Sequence, residues 1–153
     1  LEIGRSLGAD VPYCIAGGFA HVRGMGEKIS ALGQAERFPL VIVHVGRGLS
    51  TAAVFAQFDR MGQSLHLDNG ALAQAILARD LERIDRLSGN ALEAPSIALM
   101  PEIGAAMANL RALGACVVRM SGSGSAVFGV FRTAAEAMRA ADILPGALFT
   151  WTC

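Results

Sequence analysis

The sequence of 153 residues lacks an excess of charge of either sign, and it lacks long apolar runs. Thirteen Lys and Arg residues balance thirteen Asp and Glu residues, so the formal net charge at pH 7 is zero. A balanced chain offers no broad basic surface to nucleic acid or to an anionic membrane. No apolar run approaches the roughly 18 residues that a membrane-spanning helix needs. We therefore predict that the protein binds neither nucleic acid nor a membrane.

Clustered metal ligands are also missing. The cysteines are odd in number, widely spaced and embedded in apolar sequence: Cys14, Cys116 and Cys153. The histidines are equally scattered: His21, His44 and His66. Neither a zinc site nor a disulfide framework has such spacing. Unpaired structural thiols are typical of the reducing cytosol, so we predict a cytoplasmic protein with no metal site formed by these residues.

The pattern of apolar and turn residues predicts about five strands with helices between them. Strands are expected in a hairpin over residues 17–32 and over 38–45, 115–118, 126–131 and 147–152. Helices are expected over 51–58 after Ser50, over 69–79, and from Thr133 to about residue 141. A loop with Gly89, Asn90 and Pro95 should precede one longer helix that carries Met100, Ile103, Met107 and Leu110 on one stripe. This order predicts an α+β fold with a mostly antiparallel sheet backed by helices.

The first residues of the sequence are typical of a segment from inside a longer protein. It begins with Leu1 rather than Met, and residues 1–8 are typical of the last turns of a helix that ends at Gly8. We expect residues 1–153 to form a single domain cut from a longer protein. Farther on, Pro12 disfavours helical geometry at the residue before it, which predicts that Asp10 lies on an extended loop.

A run of small residues separates the two strands expected at 115–118 and 126–131. Its members are Ser121, Gly122, Ser123, Gly124 and Ser125, called the serine–glycine loop below. Backbone N–H groups in such a loop can converge on an anion. Walker and Rossmann loops open a helix, whereas this loop opens a strand, so neither fold is indicated. The alternative is an ordinary hairpin turn made of small polar residues.

Four stretches in a fixed order carry a family resemblance: LGADVPY at 7–13, GMGE at 24–27, GLSTAAVF at 48–55 and RMSGSGS at 119–125. Together they resemble the C-terminal part of the 4-diphosphocytidyl-2-C-methyl-D-erythritol kinases, a family of the GHMP kinase superfamily. The resemblance covers essentially the whole chain and implies the C-terminal domain fold of GHMP kinases. For the parent enzyme it implies magnesium-dependent transfer of the γ-phosphoryl group of ATP to the substrate 2-hydroxyl. That reaction belongs to the non-mevalonate route to isoprenoids.

The resemblance also implies roles for residues of these stretches. Asp10 would be the catalytic aspartate, unless it is a solvated turn residue or a helix cap. The serine–glycine loop would either contact phosphates or support a missing upstream loop. Phe55 would stack on the cytosine, unless it belongs to the core stripe of its own helix. Thr51 would hydrogen-bond the substrate in the same pocket, unless it only caps that helix.

The resemblance further implies that much of the active site lies elsewhere. The nucleotide-binding glycine loop and the catalytic lysine of the family precede the aspartate motif, and no lysine precedes Lys28. ATP and Mg²⁺ should therefore be bound largely by the missing N-terminal part, and the fragment alone should be nearly inactive. The family usually has Asn-Asp-Leu-Glu at residues 90–93, where this sequence reads NALE. The alanine is expected to remove a cap or a loop contact.

Two other functions stay open at this point. A different GHMP kinase would act on homoserine, mevalonate or a sugar. A non-catalytic module such as an RNA-binding domain also places helices behind an antiparallel sheet. The zero net charge and the lack of an aromatic recognition strand disfavour that module. A small molecule is the expected partner, and the sequence leaves a homodimer open.

Overall fold

The computed structural model describes residues 8, 10–46, 48–62 and 64–152. The predicted helix end over residues 1–8 lies outside these residues, apart from Gly8. The described residues form seven helices and six strands. None of these helices combines the length and the apolar character that a membrane crossing requires.

The helices and strands alternate irregularly along the chain. In order they are α1 (Val11–Ala16), β1 (Phe19–Arg23), β2 (Lys28–Gly33), β3 (Pro39–His44), α2 (Thr51–Met61), α3 (Asn69–Leu77), α4 (Leu81–Leu87), α5 (Glu93–Leu99), α6 (Glu102–Ala112), β4 (Val117–Met120), β5 (Ala126–Val130), α7 (Ala134–Ile143) and β6 (Leu148–Trp151). Strands β1 and β2 pair as a separate hairpin. The other strands form one sheet in the order β4-β5-β3-β6, with every neighbouring pair antiparallel. The predicted α+β class is confirmed.

Strand β3 lies inside the four-stranded sheet, between β5 and β6, as its continuous apolar sequence predicts. Its neighbouring residues Leu40 and Val41 point to opposite faces and belong to different core clusters. The Val41 face packs against α6 and α7, around the fully buried Phe131. The Leu40 face packs against α3 and α4. The sheet is therefore covered by helices on both faces.

Several local predictions are confirmed by hydrogen bonds at helix ends. The Ser50 side chain accepts a hydrogen bond from the Ala53 N–H and caps α2. Thr133 and Glu136 form the predicted capping box of α7. Helix α4 was not predicted. It begins where the Asp80 side chain accepts from the Arg83 N–H.

The prediction that Asp10 lies on an extended loop is wrong. Asp10 has φ −86° and ψ −17° and occupies the N-cap position of α1, without a side-chain hydrogen bond to the helix. Pro12 is the second residue of that helix. A proline in the first turn loses no intrahelical hydrogen bond, and its fixed φ suits a helix. This preference of Pro12 for the first turn of a helix outweighs its tendency to keep Val11 out of helical geometry.

The predicted position of Pro95 in a loop and the single long helix after it are also wrong. Pro95 lies in the first turn of α5, again where its missing N–H costs nothing. Met100 precedes Pro101 and has φ −144° and ψ 86°, so the chain is extended there and a new helix, α6, follows. The apolar stripe is thus divided between two helices.

We expect the contact between β5 and α6 to tolerate no added atom. A Cβ on Gly129 would lie 2.9 Å from the Ala115 Cβ and 3.3 Å from the Leu110 Cδ2. Gly129→Ala should therefore lower the free energy of unfolding by about 1–3 kcal/mol in urea denaturation. Gly48→Ala is the control, because a Cβ there meets nothing within 4 Å. Equal effects of the two substitutions would contradict this packing.

Candidate functional site

The serine–glycine loop is a tight bend between β4 and β5. The Ser121 N–H donates to the Ala126 carbonyl at 2.9 Å, and the Gly124 N–H donates to the Ser121 carbonyl at 2.9 Å. Gly122 and Gly124 have φ values of 56° and 85°. Side chains other than glycine rarely adopt this left-handed region. The two glycines therefore let the chain reverse within the loop.

Side-chain donors from another segment hold the loop carbonyls. The Asn90 Nδ2 donates to the Met120 carbonyl at 3.0 Å and to the Gly122 carbonyl at 2.7 Å. The Asn90 Oδ1 accepts from the Leu92 N–H at 2.9 Å, which fixes the orientation of the amide. The buried Ser96 hydroxyl donates to the Ser123 carbonyl at 3.1 Å. We call Asn90 and Ser96 the carbonyl clamp.

Two hydrogen bonds to loop carbonyls, one from the clamp and one within the loop, determine where two of the loop N–H groups point. In a trans peptide unit the C=O and the N–H point in opposite directions. The carbonyls of Ser121 and Gly122 both accept hydrogen bonds from the protein. The N–H groups of Gly122 and Ser123 belong to the same two peptide units, and they donate to no acceptor among the described residues. The Ser123 N–H therefore faces away from Asn90, and the Gly122 N–H faces away from the Gly124 N–H, so two consecutive donors are available to an oxygen ligand.

The members of the loop differ in exposure. Ser121 and Gly122 are exposed, and Ser123 and Gly124 are partly buried. Ser125 is only 1% exposed, and its hydroxyl has no hydrogen-bond partner among the described residues. The exposed residues Ser121 and Gly122 can thus contact a ligand, whereas Ser125 is buried inside the protein.

Strand β4 is an edge of the sheet, and side chains occupy its open side in place of a further strand. The Glu93 Oε1 accepts from the Met120 N–H at 2.8 Å. The Arg119 side chain, 14% exposed, donates to the Asp85 carboxylate at 2.9 Å and to the Ser88 carbonyl. Arg119 also donates to the Asp85 carbonyl. Residues 85–93 therefore hold in place the C-terminal end of β4, which the serine–glycine loop follows.

Helix α2 approaches the loop at its first residue. The Thr51 Oγ1 and the Ser123 Oγ lie 3.0 Å apart, within hydrogen-bonding distance. Phe55 follows Thr51 by four residues and so lies on the same helix face. Phe55 is 50% exposed, whereas the neighbouring Val54 is fully buried. The core-stripe interpretation of Phe55 is therefore wrong, and the helix cap is provided by Ser50 rather than by Thr51.

The structure places Thr51 beside the serine–glycine loop and Phe55 one turn farther along the same helix, but it does not connect Asp10 to them. Asp10 is exposed and hydrogen-bonds to no atom of the loop within the described part of the chain. A cavity of about 580 Å³ borders Ser121 and Gly122 on the side of Asn90; Asp10 does not line it, and neither do Thr51 and Phe55. The catalytic role of Asp10 stays a prediction.

Metal-ligating side chains are not clustered at the site within the described part of the chain. Within residues 8, 10–46, 48–62 and 64–152, no three His, Cys, Asp or Glu side chains converge closely enough to hold a metal. The site as described offers N–H groups, hydroxyls and an exposed aromatic ring. These groups suit an anionic ligand that carries a flat ring.

The sequence did not identify the clamp residues Asn90 and Ser96 as parts of the site. The resemblance drew attention to residues 90–93, but it did not show what they contact. Asn90 and Gly122 are separated by 32 positions. The periodicity of residues within one strand or helix carries no information about a contact between residues so far apart in the sequence.

Comparisons with known proteins point to one family. Residues 72–148 match the family described as GHMP kinases C terminal. The chain is 42% identical over 150 residues to the 4-diphosphocytidyl-2-C-methyl-D-erythritol kinase of Paracoccus denitrificans (strain Pd 1222). That match covers 96% of this chain and 53% of the relative. The chain thus spans about half the length of the curated relatives it matches.

Comparison with solved structures shows the same fold in related kinases. The chain is similar to a crystal structure of 4-(cytidine 5'-diphospho)-2C-methyl-D-erythritol kinase, with a TM-score of 0.83 and 35% identity. The superposition covers 97% of this chain and 55% of that one. A homoserine kinase from Cytophaga hutchinsonii superimposes with a TM-score of 0.66 over 94% of this chain and 50% of its own. Its 20% identity shows a shared fold alone.

We expect the carbonyl clamp to contribute measurably to stability. Asn90→Ala removes two donors and one acceptor, and it leaves the part-buried Met120 carbonyl without the Asn90 donor. The free energy of unfolding should fall by about 1–3 kcal/mol in urea denaturation. Asn109→Ala, at an exposed position of α6, should change it by less than about 0.5 kcal/mol. A loss no larger than that of the control would show that the clamp does not form.

Proposed function

The chain belongs to the family of GHMP kinase C-terminal domains, and on that premise we propose that it forms the substrate side of a kinase. The proposed reaction transfers the γ-phosphoryl group of ATP to the 2-hydroxyl of 4-diphosphocytidyl-2-C-methyl-D-erythritol. The supporting observation is the similarity to kinases of that name, 42% and 35% identical over nearly the whole chain. The activity belongs to the intact enzyme, because the chain spans about half the length of these relatives.

The serine–glycine loop is proposed to bind phosphate oxygens. Phosphoryl transfer has a loose transition state, so the protein contributes mainly positioning and neutralisation of charge. The outward N–H groups of Gly122 and Ser123 are suited to this task, since the Gly124 N–H and the Asn90 amide hold the carbonyls of their peptide units in place. The first turn of α2 lies beside them through the contact of Thr51 with Ser123, and its positive end favours an anion.

Helix α2 is proposed to recognise the cytidine part of the substrate. Phe55 presents an exposed ring one turn beyond Thr51, on the same face. A ring in this position can stack on a base, which is worth about 1–3 kcal/mol. The Thr51 hydroxyl can hydrogen-bond the same ligand. Because Ser123 contacts Thr51, base recognition and phosphate binding would be adjacent.

Asp10 is proposed as the residue that accepts the proton of the substrate hydroxyl. Its carboxylate is exposed, so it is accessible to a substrate. ATP and Mg²⁺ are proposed to be bound largely by the N-terminal part of the intact enzyme, because the family's nucleotide-binding glycine loop and catalytic lysine precede the aspartate motif. A cytoplasmic location is part of the same proposal.

The alternative functions receive no specific support. The homoserine kinase shares the fold at 20% identity, which does not favour its substrate. An RNA-binding module would need a basic surface, and the chain has no net charge. The cytidyl substrate is therefore the proposal that the observations favour.

We expect cytidine diphosphate to protect the protein against thermal unfolding, because it binds the native state alone. A ligand at about 100 times its Kd stabilises by about 2.7 kcal/mol. Phe55→Ala should weaken binding by about 1–3 kcal/mol through the loss of stacking. Met138→Ala, at an exposed position of α7, is the control and should bind as the unaltered protein does. Undiminished protection of Phe55→Ala would remove Phe55 from the site, and failure of the unaltered protein to respond would contradict the cytidyl substrate.

Replacing Asp10 tests the proposed proton transfer in the intact enzyme. Asp10→Asn keeps the size of the side chain but cannot accept the proton. We expect kcat to fall by about 10²–10⁴-fold while KM changes little. Asp59→Asn, at an exposed position of α2, should leave kcat near its original value. Steady-state kinetics of the two variants decide the question, and an unchanged kcat of Asp10→Asn would require another proton acceptor.

A further inference from the structure

We propose that the Ser123 hydroxyl is a positioning group: it donates a hydrogen bond to the Thr51 Oγ1 and thereby directs the Thr51 proton to an oxygen of a nucleoside diphosphate. The inference rests on the proposed function, since it concerns the diphosphate of the same cytidyl ligand. It gives the side chain of Ser123 a role separate from that of its backbone N–H, because the side chain acts on the ligand through Thr51.

The hydroxyls of Thr51 and Ser123, called the hydroxyl pair below, are partners of each other. The Thr51 Oγ1 and the Ser123 Oγ lie 3.0 Å apart, and either atom fits as the donor. Neither hydroxyl makes another hydrogen bond in the part of the chain that the structure describes. Each hydroxyl carries one proton and can accept two hydrogen bonds. The contact uses one of the two protons, so one proton of the pair remains for a ligand.

The exposure of the two side chains favours the Thr51 proton as the one that meets a ligand. Thr51 is exposed, whereas Ser123 is partly buried. An ionised oxygen accepts hydrogen bonds and cannot donate one. Such a ligand therefore favours the arrangement in which Ser123 donates to Thr51 and Thr51 donates to the ligand. Consecutive hydrogen bonds of this kind polarise and strengthen one another.

A third hydroxyl holds the backbone of Ser123. The Ser123 carbonyl accepts a hydrogen bond from the Ser96 Oγ at 3.1 Å, and Ser96 is fully buried on α5. Helix α5 packs against α2, which begins at Thr51. The serine of the loop is thus fixed relative to the helix that carries its partner, so the hydroxyl pair is held together by the fold.

The position of Phe55 favours the diphosphate attached to the stacked base as the anion. Phe55 lies one turn beyond Thr51 on the same helix face, and its ring is 50% exposed. One turn advances about 5.4 Å along a helix, so the ring and the Thr51 hydroxyl can contact adjoining parts of one nucleotide. The Ser123 N–H is a further donor beside Thr51. A nucleoside diphosphate is therefore the ligand class that matches the ring and both donors.

A double-mutant cycle in the intact enzyme tests the hydroxyl pair, with the binding of cytidine diphosphate measured by isothermal titration calorimetry. Thr51→Val removes the hydroxyl that contacts the anion and should weaken binding by about 10–100-fold, as expected for a hydrogen bond to a charged group. Ser123→Ala leaves the Thr51 proton without its orienting partner and should weaken binding by about 2–10-fold. In the Thr51→Val background Ser123→Ala should have no further effect, because Ser123 acts through Thr51.

Cytidine is the second ligand of the experiment, since it offers the base without a phosphate. Both substitutions should change the binding of cytidine by less than about twofold. Ser123→Thr keeps the hydroxyl and should restore the binding of cytidine diphosphate that Ser123→Ala loses. Ser30→Ala, at an exposed position of β2, is the matched control and should bind both ligands as the unaltered enzyme does.

Four results would overturn the proposal. Full multiplication of the two effects in the double variant would show that the Ser123 hydroxyl does not act through Thr51. An equal loss of cytidine and cytidine diphosphate binding would show a structural role of the hydroxyl pair. An unaltered enzyme that binds the diphosphate no more tightly than cytidine would remove the anion contact and leave the proposed cytidyl site intact. An unaltered enzyme that binds neither ligand would contradict the proposed function as well.

Discussion

The hydrogen bonds from the Asn90 amide to the carbonyls of Met120 and Gly122 determine which way the serine–glycine loop faces. The peptide bond is planar, so holding a carbonyl on one side directs the N–H of the same unit to the other. A loop of identical sequence without this anchor would present its N–H groups in many directions. Asn90 thus orients the Ser123 N–H, and the hydrogen bond from the Gly124 N–H to the Ser121 carbonyl orients the Gly122 N–H, so the loop presents two oriented donors.

The anchor is itself held by the fold. Residues 85–93 lie along the open edge of β4, where Asp85 accepts from Arg119 and Glu93 accepts from the Met120 N–H in place of a further strand. Helices α2 and α5 pack on each other, with the buried Val54 on the first and the buried Ser96 on the second. A ligand site supported in this way needs little rearrangement on binding, which favours both affinity and precise positioning.

Sequence reasoning succeeded where the signal was local. The apolar run of β3, the capping box at Thr133 and the cap at Ser50 each depend on neighbouring residues, and all were predicted correctly. Pro12 shows the limit of such signals, because the same residue restricts Val11 and also suits the first turn of a helix. The Asn90 clamp joins positions 32 residues apart, so only the folded chain reveals it. The exposure of Phe55 was likewise open until the packing of Val54 fixed the orientation of α2.

Amide hydrogen exchange in the loop tests the central claim most directly, because each N–H is observed separately. The N–H groups of Ser121 and Gly124 are hydrogen-bonded and should exchange slowly, whereas those of Gly122 and Ser123 should exchange fast. Addition of cytidine diphosphate should slow the fast pair and leave the slow pair unchanged. Equal exchange of all four amides, or a fast pair that does not respond to the ligand, would contradict an oriented phosphate-binding loop.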